Sequence, residues 1–264
     1  MKKYILYTAA IMAITVSSCR KIETDGEIQV VVVNGGGGGG GSTTGQTITL
    51  QGRINADTVL RKANSYILKG IVYMVGNHTM TIEAGTVIKG SFSGSDVAAL
   101  VITRGSKIIA PGTATDPIIF TSLSPNPQSG DWGGIVLCGK AGYNLSYNGT
   151  AGLYQVEGGI DNANGDGLAG SGDAVAPTPV ANDNSGVLQY VRIEYAGYAF
   201  QPDKEINSLT MAAVGSGTII DHIQVTYAKD DAFEWFGGSV NCSYLIAYKT
   251  QDDDFDTDNG YSGK

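Results

Sequence analysis

The sequence DDAFE at residues 230–234 returns as DDDFD at residues 252–256. The repeat extends beyond the acidic residues, because Gly238 and Gly260 are separated by the same number of residues as the two acidic segments. A repeat this short is typical of a solenoid, in which each repeat forms one coil that stacks on the next. Neighbouring coils of a β-solenoid lie about 4.8 Å apart. The equivalent carboxylates of the two repeats are therefore predicted to lie almost on top of one another.

Short apolar runs separated by glycine turns continue this pattern from residue 46 onward. Residues 81–90 align with residues 101–110, at a slightly shorter spacing, and this alignment matches Gly85 with Gly105. The two spacings together predict an all-β solenoid of about eight coils.

The clearest repeat joins three runs, at residues 190–195, 222–227 and 243–248. Side chains alternate between the two faces of a strand, so every second residue of each run is predicted to face the interior. The residues that we expect to be buried and stacked are Val191, Ile193, Ile223, Val225, Tyr244 and Ile246. The same alignment forms a ladder of Tyr195, Tyr227 and Tyr248, for which core stacking is favoured over a sugar-binding platform.

The N-terminus carries the pattern of a secretion signal. Two lysines precede an apolar run over residues 4–16, which is too short to span a membrane as a helix. Val16, Ser17 and Ser18 then lead into Cys19, an order that resembles a bacterial lipobox. Residues 1–18 are thus predicted to be a lipoprotein signal peptide and Cys19 the lipidated residue, which would anchor the chain to a membrane. Ordinary signal cleavage is the alternative.

A flexible tether is predicted for residues 19–46, because seven consecutive glycines occupy residues 35–41. The β-helical domain then covers residues 47–264. Acidic residues soon after Cys19 resemble the surface-export signals of Bacteroidetes-type lipoproteins, although Arg20 and Lys21 depart from that pattern. This resemblance implies an outer-membrane protein that is exposed at the cell surface.

The charge of the chain limits its partners. The formal net charge is −8, and it becomes −10 without residues 1–18, which hold two lysines and no acid. Such a charge argues against nucleic acid and anionic lipid as partners. Cys138 and Cys242 lie in strand-like apolar runs, which favours two buried free thiols over the alternative of one disulfide.

A long excursion from one coil is predicted at about residues 142–184, where Gly, Asn, Asp, Ala and Pro replace the strand pattern. Asn162, Asn164 and Asp166 are spaced like the start of a calcium loop, but the distal glutamate is absent. A solvated loop is the preferred interpretation, and a calcium loop is the alternative.

Several blocks carry a family resemblance: residues 130–135 (GDWGGI), 183–197, 205–207, 214–218, 236–238 and 260–264. They resemble a family of bacterial surface lipoproteins similar to the pectate-lyase-like right-handed parallel β-helices. The resemblance implies that fold and a surface location, and it implies no particular reaction. Because the sequence stops where a new coil would begin, we expect this chain to be the N-terminal part of a longer solenoid.

The acidic repeats predict a cation site. Asp254, Asp256 and Asp258 alternate like the opening of a calcium loop, and hard oxygen ligands without His or Cys favour calcium over zinc. A hydrated acidic turn is the alternative. The candidate ligands are Asp230, Asp231, Glu234, Asp252, Asp253, Asp254, Asp256 and Asp258.

Two functions are compatible with these features. The first is a lipid-anchored scaffold that binds a glycan or a protein, and the second is a calcium-assisted polysaccharide lyase or glycoside hydrolase. A fold does not by itself supply a reaction. A cluster of basic and acidic residues on one face would favour the enzyme, whereas an exposed aromatic groove would favour binding.

Overall fold

The computed structural model describes residues 29–33, 45–201 and 204–264. The predicted signal peptide, Cys19 and the run of seven glycines lie outside the described residues. Within them the regular structure is β, apart from one 3-10 turn at Gly94–Asp96. No helix in this part of the chain is both long and apolar enough to cross a membrane.

The described strands are, in chain order, β1 (Gln29–Val33), β2 (Thr47–Ile54), β3 (Thr58–Leu60), β4 (Ser65–Met74), β5 (Thr79–Ile82), β6 (Val87–Gly90), β7 (Ala99–Ile102), β8 (Lys107–Pro111), β9 (Ile118–Ser122), β10 (Ile135–Cys138), β11 (Ser146–Tyr147), β12 (Thr150–Ala151), β13 (Leu153–Gln155), β14 (Leu168–Gly170), β15 (Gly186–Glu194), β16 (Ala199–Gln201), β17 (Lys204–Glu205), β18 (Leu209–Ala212), β19 (Ile219–Thr226), β20 (Phe233–Phe236), β21 (Cys242–Tyr248) and β22 (Phe255–Asp258).

These strands form a right-handed parallel β-helix with three stacked faces, which confirms the solenoid that the repeats predicted and the handedness and strand direction that the family resemblance implied. Face A consists of β3, β5, β8 and the first parts of β15, β19 and β21. Face B consists of the first parts of β2 and β4, then β6, β9 and the later parts of β15, β19 and β21. Face C consists of the later parts of β2 and β4, then β7, β10, β18, β20 and β22.

The described strands contain six complete coils after an incomplete first one, so the predicted number of eight is wrong. The spacing of Gly85 and Gly105 is not that of a coil, because Gly85 lies between faces A and B whereas Gly105 lies between faces C and A. The coil there is longer, since the strand ladder pairs Met80 with Ile108. Similar glycine turns at two different corners of the coil produced the false alignment.

The N-terminal edge of face B is covered by a strand within the predicted tether. β1 pairs with β2 in an antiparallel ladder that matches Gln29 with Gln51 and Val33 with Thr47. The first coil therefore does not present a bare edge on this face, and an exposed edge of that kind would be open to pairing with other chains.

The interior confirms four of the six predicted core residues and corrects the other two. Val191, Ile193, Ile223 and Val225 are buried. The last run is shifted by one residue, because Ile223 pairs with Leu245 and Val225 with Ala247. A shift of one residue moves every side chain of a strand to its other face. Tyr244 and Ile246 consequently point outward and are 72% and 56% exposed.

The predicted core stacking of the tyrosine ladder is also wrong. Tyr195 and Tyr227 stack with ring centroids 5.2 Å apart, but both are only partly buried, and Tyr248 is 52% exposed. In this register Tyr248 lies opposite Thr226, and Lys249 takes the next position, with its Nζ 5.2 Å from the ring centroid of Tyr227. Cys138 and Cys242 are free thiols, as predicted, but only Cys138 is fully buried, and Cys242 is partly buried.

Two insertions cover the outer surface of face C. The first insertion is the predicted excursion, residues 142–184, and it contains the hairpins β11–β12 and β13–β14. The second insertion, residues 195–208, contains the hairpin β16–β17. Apolar side chains of both insertions pack on the outward side chains of face C in a second core. Its buried members include Val101, Val136, Ala212, Phe236, Val156, Ile160, Ala169 and Ile206.

The first insertion is ion-paired to the coils at its buried Asp166, while Ala163 and Asn164 of the same loop are exposed to solvent. Asp166 accepts two hydrogen bonds from Arg53, at 2.7 and 3.2 Å. Asp173 likewise accepts two from Arg104, at 2.9 and 2.7 Å. The guanidinium of Arg53 thus occupies both carboxylate oxygens of Asp166, the third residue of the calcium-loop pattern.

We expect Asp173→Asn to destabilise the folded protein by about 2–3 kcal/mol. Removing one partner of a buried ion pair leaves an uncompensated charge, and here the Arg104 side chain is only 6% exposed. The expected value lies below the usual cost of about 3–5 kcal/mol for a buried pair because Asp173 is 25% exposed. Urea denaturation measures the change.

Asp96→Asn is the matched control. Asp96 pairs with Lys69, and both side chains are almost half exposed, so this substitution should change the free energy of unfolding by no more than about 0.5 kcal/mol. Equal effects of the two substitutions would contradict a structural role for the Arg104–Asp173 pair.

Candidate functional site

The acidic repeat places its two segments on neighbouring strands of face C. β20 pairs with β22, which matches Phe233 with Phe255 and Glu234 with Asp256. The two phenylalanine rings stack with centroids 5.5 Å apart and planes 7° from parallel. The predicted stacking of equivalent acidic residues on successive coils is therefore confirmed for this pair.

Carboxylates from the two segments meet in two overlapping groups. Asp230, Asp231 and Asp252 form one group, and Asp231, Glu234 and Asp256 form the other, each with ligand oxygens within 4.8 Å of one another. We call these five residues the acidic cluster. Three of the eight candidate ligands lie outside both groups: Asp253, Asp254 and Asp258.

Burial and repulsion from neighbouring carboxylates raise the pKa values of three members of the acidic cluster. Burial is the largest cause in each case, and it raises the pKa of Asp230 to about 6, of Asp231 to about 7 and of Glu234 to about 10. The neighbouring charges that contribute are all carboxylates, among them Glu157 and Glu205 of the two insertions. In the absence of a counter-charge, the ionised form of these three carboxyl groups is therefore disfavoured.

The insertions close over Glu234, which is 5% exposed. The ring of Tyr154 packs 5.0 Å from that of Phe236 and 4.6 Å from that of Tyr143, which places aromatic rings beside the cluster. The side-chain amide of Asn207 donates a hydrogen bond to the Glu234 carboxylate.

Sequence reasoning did not assign Asn207, Glu157 or Glu205 to this site. No local spacing could have indicated them, because both insertions lie outside the strand repeat. The only signal was that Glu205 and Asn207 belong to one of the blocks that carry the family resemblance.

A column of three stacked rings marks the corner between faces A and B. Tyr190, His222 and Tyr244 occupy the same position on successive coils, with φ values of 47°, 53° and 55°. Ring centroids are 4.3 Å apart for Tyr190 and His222 and 4.2 Å apart for His222 and Tyr244. Large residues rarely adopt this left-handed conformation, and such outliers cluster at functional sites.

These rings form one side of an open groove of about 480 Å³, which we call the aromatic groove. Its floor is the outward row of face B, in which Arg192, Gln224 and Ile246 lie side by side. The loop after β8 contributes Thr113, Ala114 and Pro117 to the lining.

The polar groups of the groove are partly engaged. The carboxylate of Asp221 lies 3.0 Å from Nδ1 of His222 and accepts a hydrogen bond from Gln189 at 3.0 Å. Arg192 is exposed and forms no ion pair with any residue of the described ranges. Sequence reasoning missed this groove because its alignment placed Tyr244 in the core.

The coiled, parallel strand order agrees with the comparison to known families. A model of the pectate-lyase-like β-helix domain matches residues 52–264. The chain belongs to this family. No curated protein and no solved structure is significantly similar to the chain. Membership of the pectate-lyase-like β-helix family establishes the fold and leaves the activity of this domain to be inferred from its own residues.

Proposed function

We propose that this protein is a lipid-anchored β-helix displayed on the outer membrane, and that its aromatic groove binds a glycan. The observation that carries the proposal is the outward stack of Tyr190, His222 and Tyr244 beside an open groove. Binding sites typically combine apolar and aromatic surface with a few oriented polar groups.

The composition of the groove suits a sugar chain. The faces of sugar rings are apolar and their edges carry hydroxyl groups. The aromatic wall can therefore pack on the faces, and the polar floor can form hydrogen bonds with the hydroxyl groups. Arg192 supplies hydrogen-bond donors, and Gln224 supplies both donors and acceptors. A groove that runs across three coils can contact several consecutive sugar units.

The N-terminal sequence supports the membrane and surface location. The residues before Cys19 resemble a lipobox, and acids at Glu23, Asp25 and Glu27 follow it. A lipidated Cys19 followed by a glycine-rich segment would hold the β-helix near the membrane and leave its faces accessible to ligands.

A calcium-assisted polysaccharide lyase or glycoside hydrolase is the second candidate. The raised pKa of Glu234 favours it, because a glycosidase acid must keep its proton near neutral pH. However, Glu234 is buried below the two insertions, where a polysaccharide has no direct access. The groove, which is open, contains no pair of carboxylates among its lining residues.

We expect Tyr244→Ala to weaken glycan binding at least about tenfold. Tyrosines at the centre of an interface often contribute about 2 kcal/mol or more, and about 1.4 kcal/mol corresponds to a factor of ten. A glycan array of neutral and uronate-containing oligosaccharides first selects the ligand, and calorimetry then compares the variants. Reducing-end release on the same glycans is measured in parallel.

Tyr248→Ala is the matched control, since Tyr248 is an exposed tyrosine of the same strand that does not line the groove. The affinity of this variant for the glycan should equal that of the unaltered protein. Equal losses in both variants would place the ligand elsewhere, release of reducing ends would support the enzyme, and binding to proteins alone would contradict the glycan proposal.

A further inference from the structure

We propose that a calcium ion binds between Asp231, Glu234 and Asp256 and fastens the second insertion to the last two coils of face C. This inference goes beyond the glycan-binding function and concerns a different surface of the helix. The aromatic groove lies at the corner of faces A and B, whereas these carboxylates lie on and beside face C.

The spacing of the carboxylates fits one ion. Calcium binds oxygen at about 2.3–2.6 Å, so two oxygens on the same ion lie at most about 5.2 Å apart. One oxygen from each of Asp231, Glu234 and Asp256 lies within 4.8 Å of the other two. The three side chains can therefore share a single cation without a change of backbone.

Two buried neutral oxygens on residues that neighbour Glu234 point to a ligand independently of the acids. Thr210 is paired across the strand ladder with Glu234, so both side chains point outward from face C. Thr210 is 1% exposed, and its Oγ1 has no hydrogen-bond partner in the described part of the chain. A buried hydroxyl without a partner is costly, and a cation beside Glu234 would supply the missing interaction.

Asn207 provides the second neutral oxygen. Its amide nitrogen donates to the Glu234 carboxylate, which fixes the side chain at the acidic cluster. Asn207 is also 1% exposed, and its Oδ1 lacks a partner among the described residues. Amide and hydroxyl oxygens are common calcium ligands beside carboxylates.

The charge balance of the site requires a cation or protons. The charges acting on Asp231 and Glu234 all come from other carboxylates, namely those of Glu157, Asp230, Asp252 and Asp256. Buried like charges disfavour the ionised state unless a counter-charge is present. A divalent ion would compensate two of them at once and would remove the repulsion between the insertions and the coils.

The donor set selects calcium among the common divalent ions. Every candidate ligand is a hard oxygen, and neither group contains histidine or cysteine, which disfavours zinc. Magnesium prefers to keep several of its waters, whereas calcium accepts six to eight protein oxygens in flexible geometry. A buried site with up to five oxygen-bearing side chains suits the larger ion.

Thermal unfolding of the full chain tests the proposal. The protein is stripped with chelator and then melted in chelator, in calcium and in magnesium at equal ionic strength. A ligand that binds only the folded state stabilises by mass action, so calcium at about one hundred times its Kd should raise the Tm by about 5 °C or more. Magnesium should give a smaller shift. Identical melting curves in calcium and in chelator would overturn the proposal.

Variants locate the ion. Glu234→Gln and Asp256→Asn keep the shape of the side chains and should each abolish most of the calcium-dependent shift. Asp254→Asn is the matched control, because Asp254 lies in the same repeat but outside both carboxylate groups, and its shift should be unchanged. A shift that survives in the first two variants, or is lost only in the third, would refute this site.

A direct binding measurement covers the case in which a variant does not fold. Terbium, which takes calcium sites and luminesces when excited through nearby aromatic rings, should bind the unaltered protein and be displaced by calcium. Trp235 adjoins Glu234, and the ring of Tyr154 packs on Phe236, so energy donors lie close to the site. Absence of calcium-displaceable luminescence would also overturn the proposal.

Discussion

Replacing Trp132 with alanine should destabilise the β-helix by about 3–5 kcal/mol, the usual cost of truncating a large buried aromatic residue. Trp132 is fully buried, and its ring stacks on Phe120 with centroids 6.4 Å apart. Its indole N–H donates to the carbonyl of Glu194 at 2.8 Å, so truncation also leaves a partly buried acceptor without this donor.

Gly90, which lies against the indole, has no side chain that could fill the cavity. Gly90 faces the indole so closely that a Cβ on this residue would lie 2.8 Å from the Trp132 ring. The backbone at Gly133 and Trp132 also accepts hydrogen bonds from Gly197 and Tyr198 of the second insertion. The substitution should therefore loosen the third coil and the insertion docked on it.

Urea denaturation measures this effect, and two variants calibrate it. Trp132→Phe keeps most of the ring and should cost less than the alanine variant, whereas Phe92→Ala alters a partly exposed residue and should stay within about 0.5 kcal/mol. A cost below about 1 kcal/mol for Trp132→Ala would show that the coil repacks around the cavity.

Replacing Cys19 with alanine should release the protein from membranes completely. The lipid chains are the only anchor that the sequence predicts, and each buried CH₂ group contributes about 0.8 kcal/mol to membrane binding. Acyl labelling with a fatty-acid analogue should be lost together with sedimentation in the membrane fraction.

Cys242→Ala is the control for this experiment, because it removes a different thiol and should leave labelling and sedimentation unchanged. Membrane retention of the Cys19 variant at the level of the unaltered protein would mean that another contact holds the chain at the membrane.

The architecture was predictable because it rests on short-range patterns. Alternation of apolar side chains, glycine at the bends and the short acidic repeat are all properties of neighbouring residues, and they recur along the chain. The pairing of Glu234 with Asp256 follows directly from that repeat. The burial of Val191, Ile193, Ile223 and Val225 follows from alternation in the same way.

The pairing register between strands was less predictable than the architecture. Alternation of side chains does not say which of two registers, one residue apart, a strand adopts. The sequence alone therefore did not decide which face of β21 points inward. Hydrogen bonding to β19 resolved this choice and turned Tyr244 outward, where it completes the aromatic groove. The groove thus depends on a pairing that no local signal in residues 243–248 specifies.

What the sequence by itself determined is the β-solenoid and the stacking of its acidic repeats, because both follow from periodicity along the chain. Only the tertiary structure decided what covers face C and which side chains join the acidic cluster. Those features depend on contacts between segments far apart in the chain, such as the ion pair of Arg53 and Asp166. The insertions contain no sequence repeat that would predict where they pack. The contact of Asn207 with Glu234 is therefore set by how the second insertion packs on the coils.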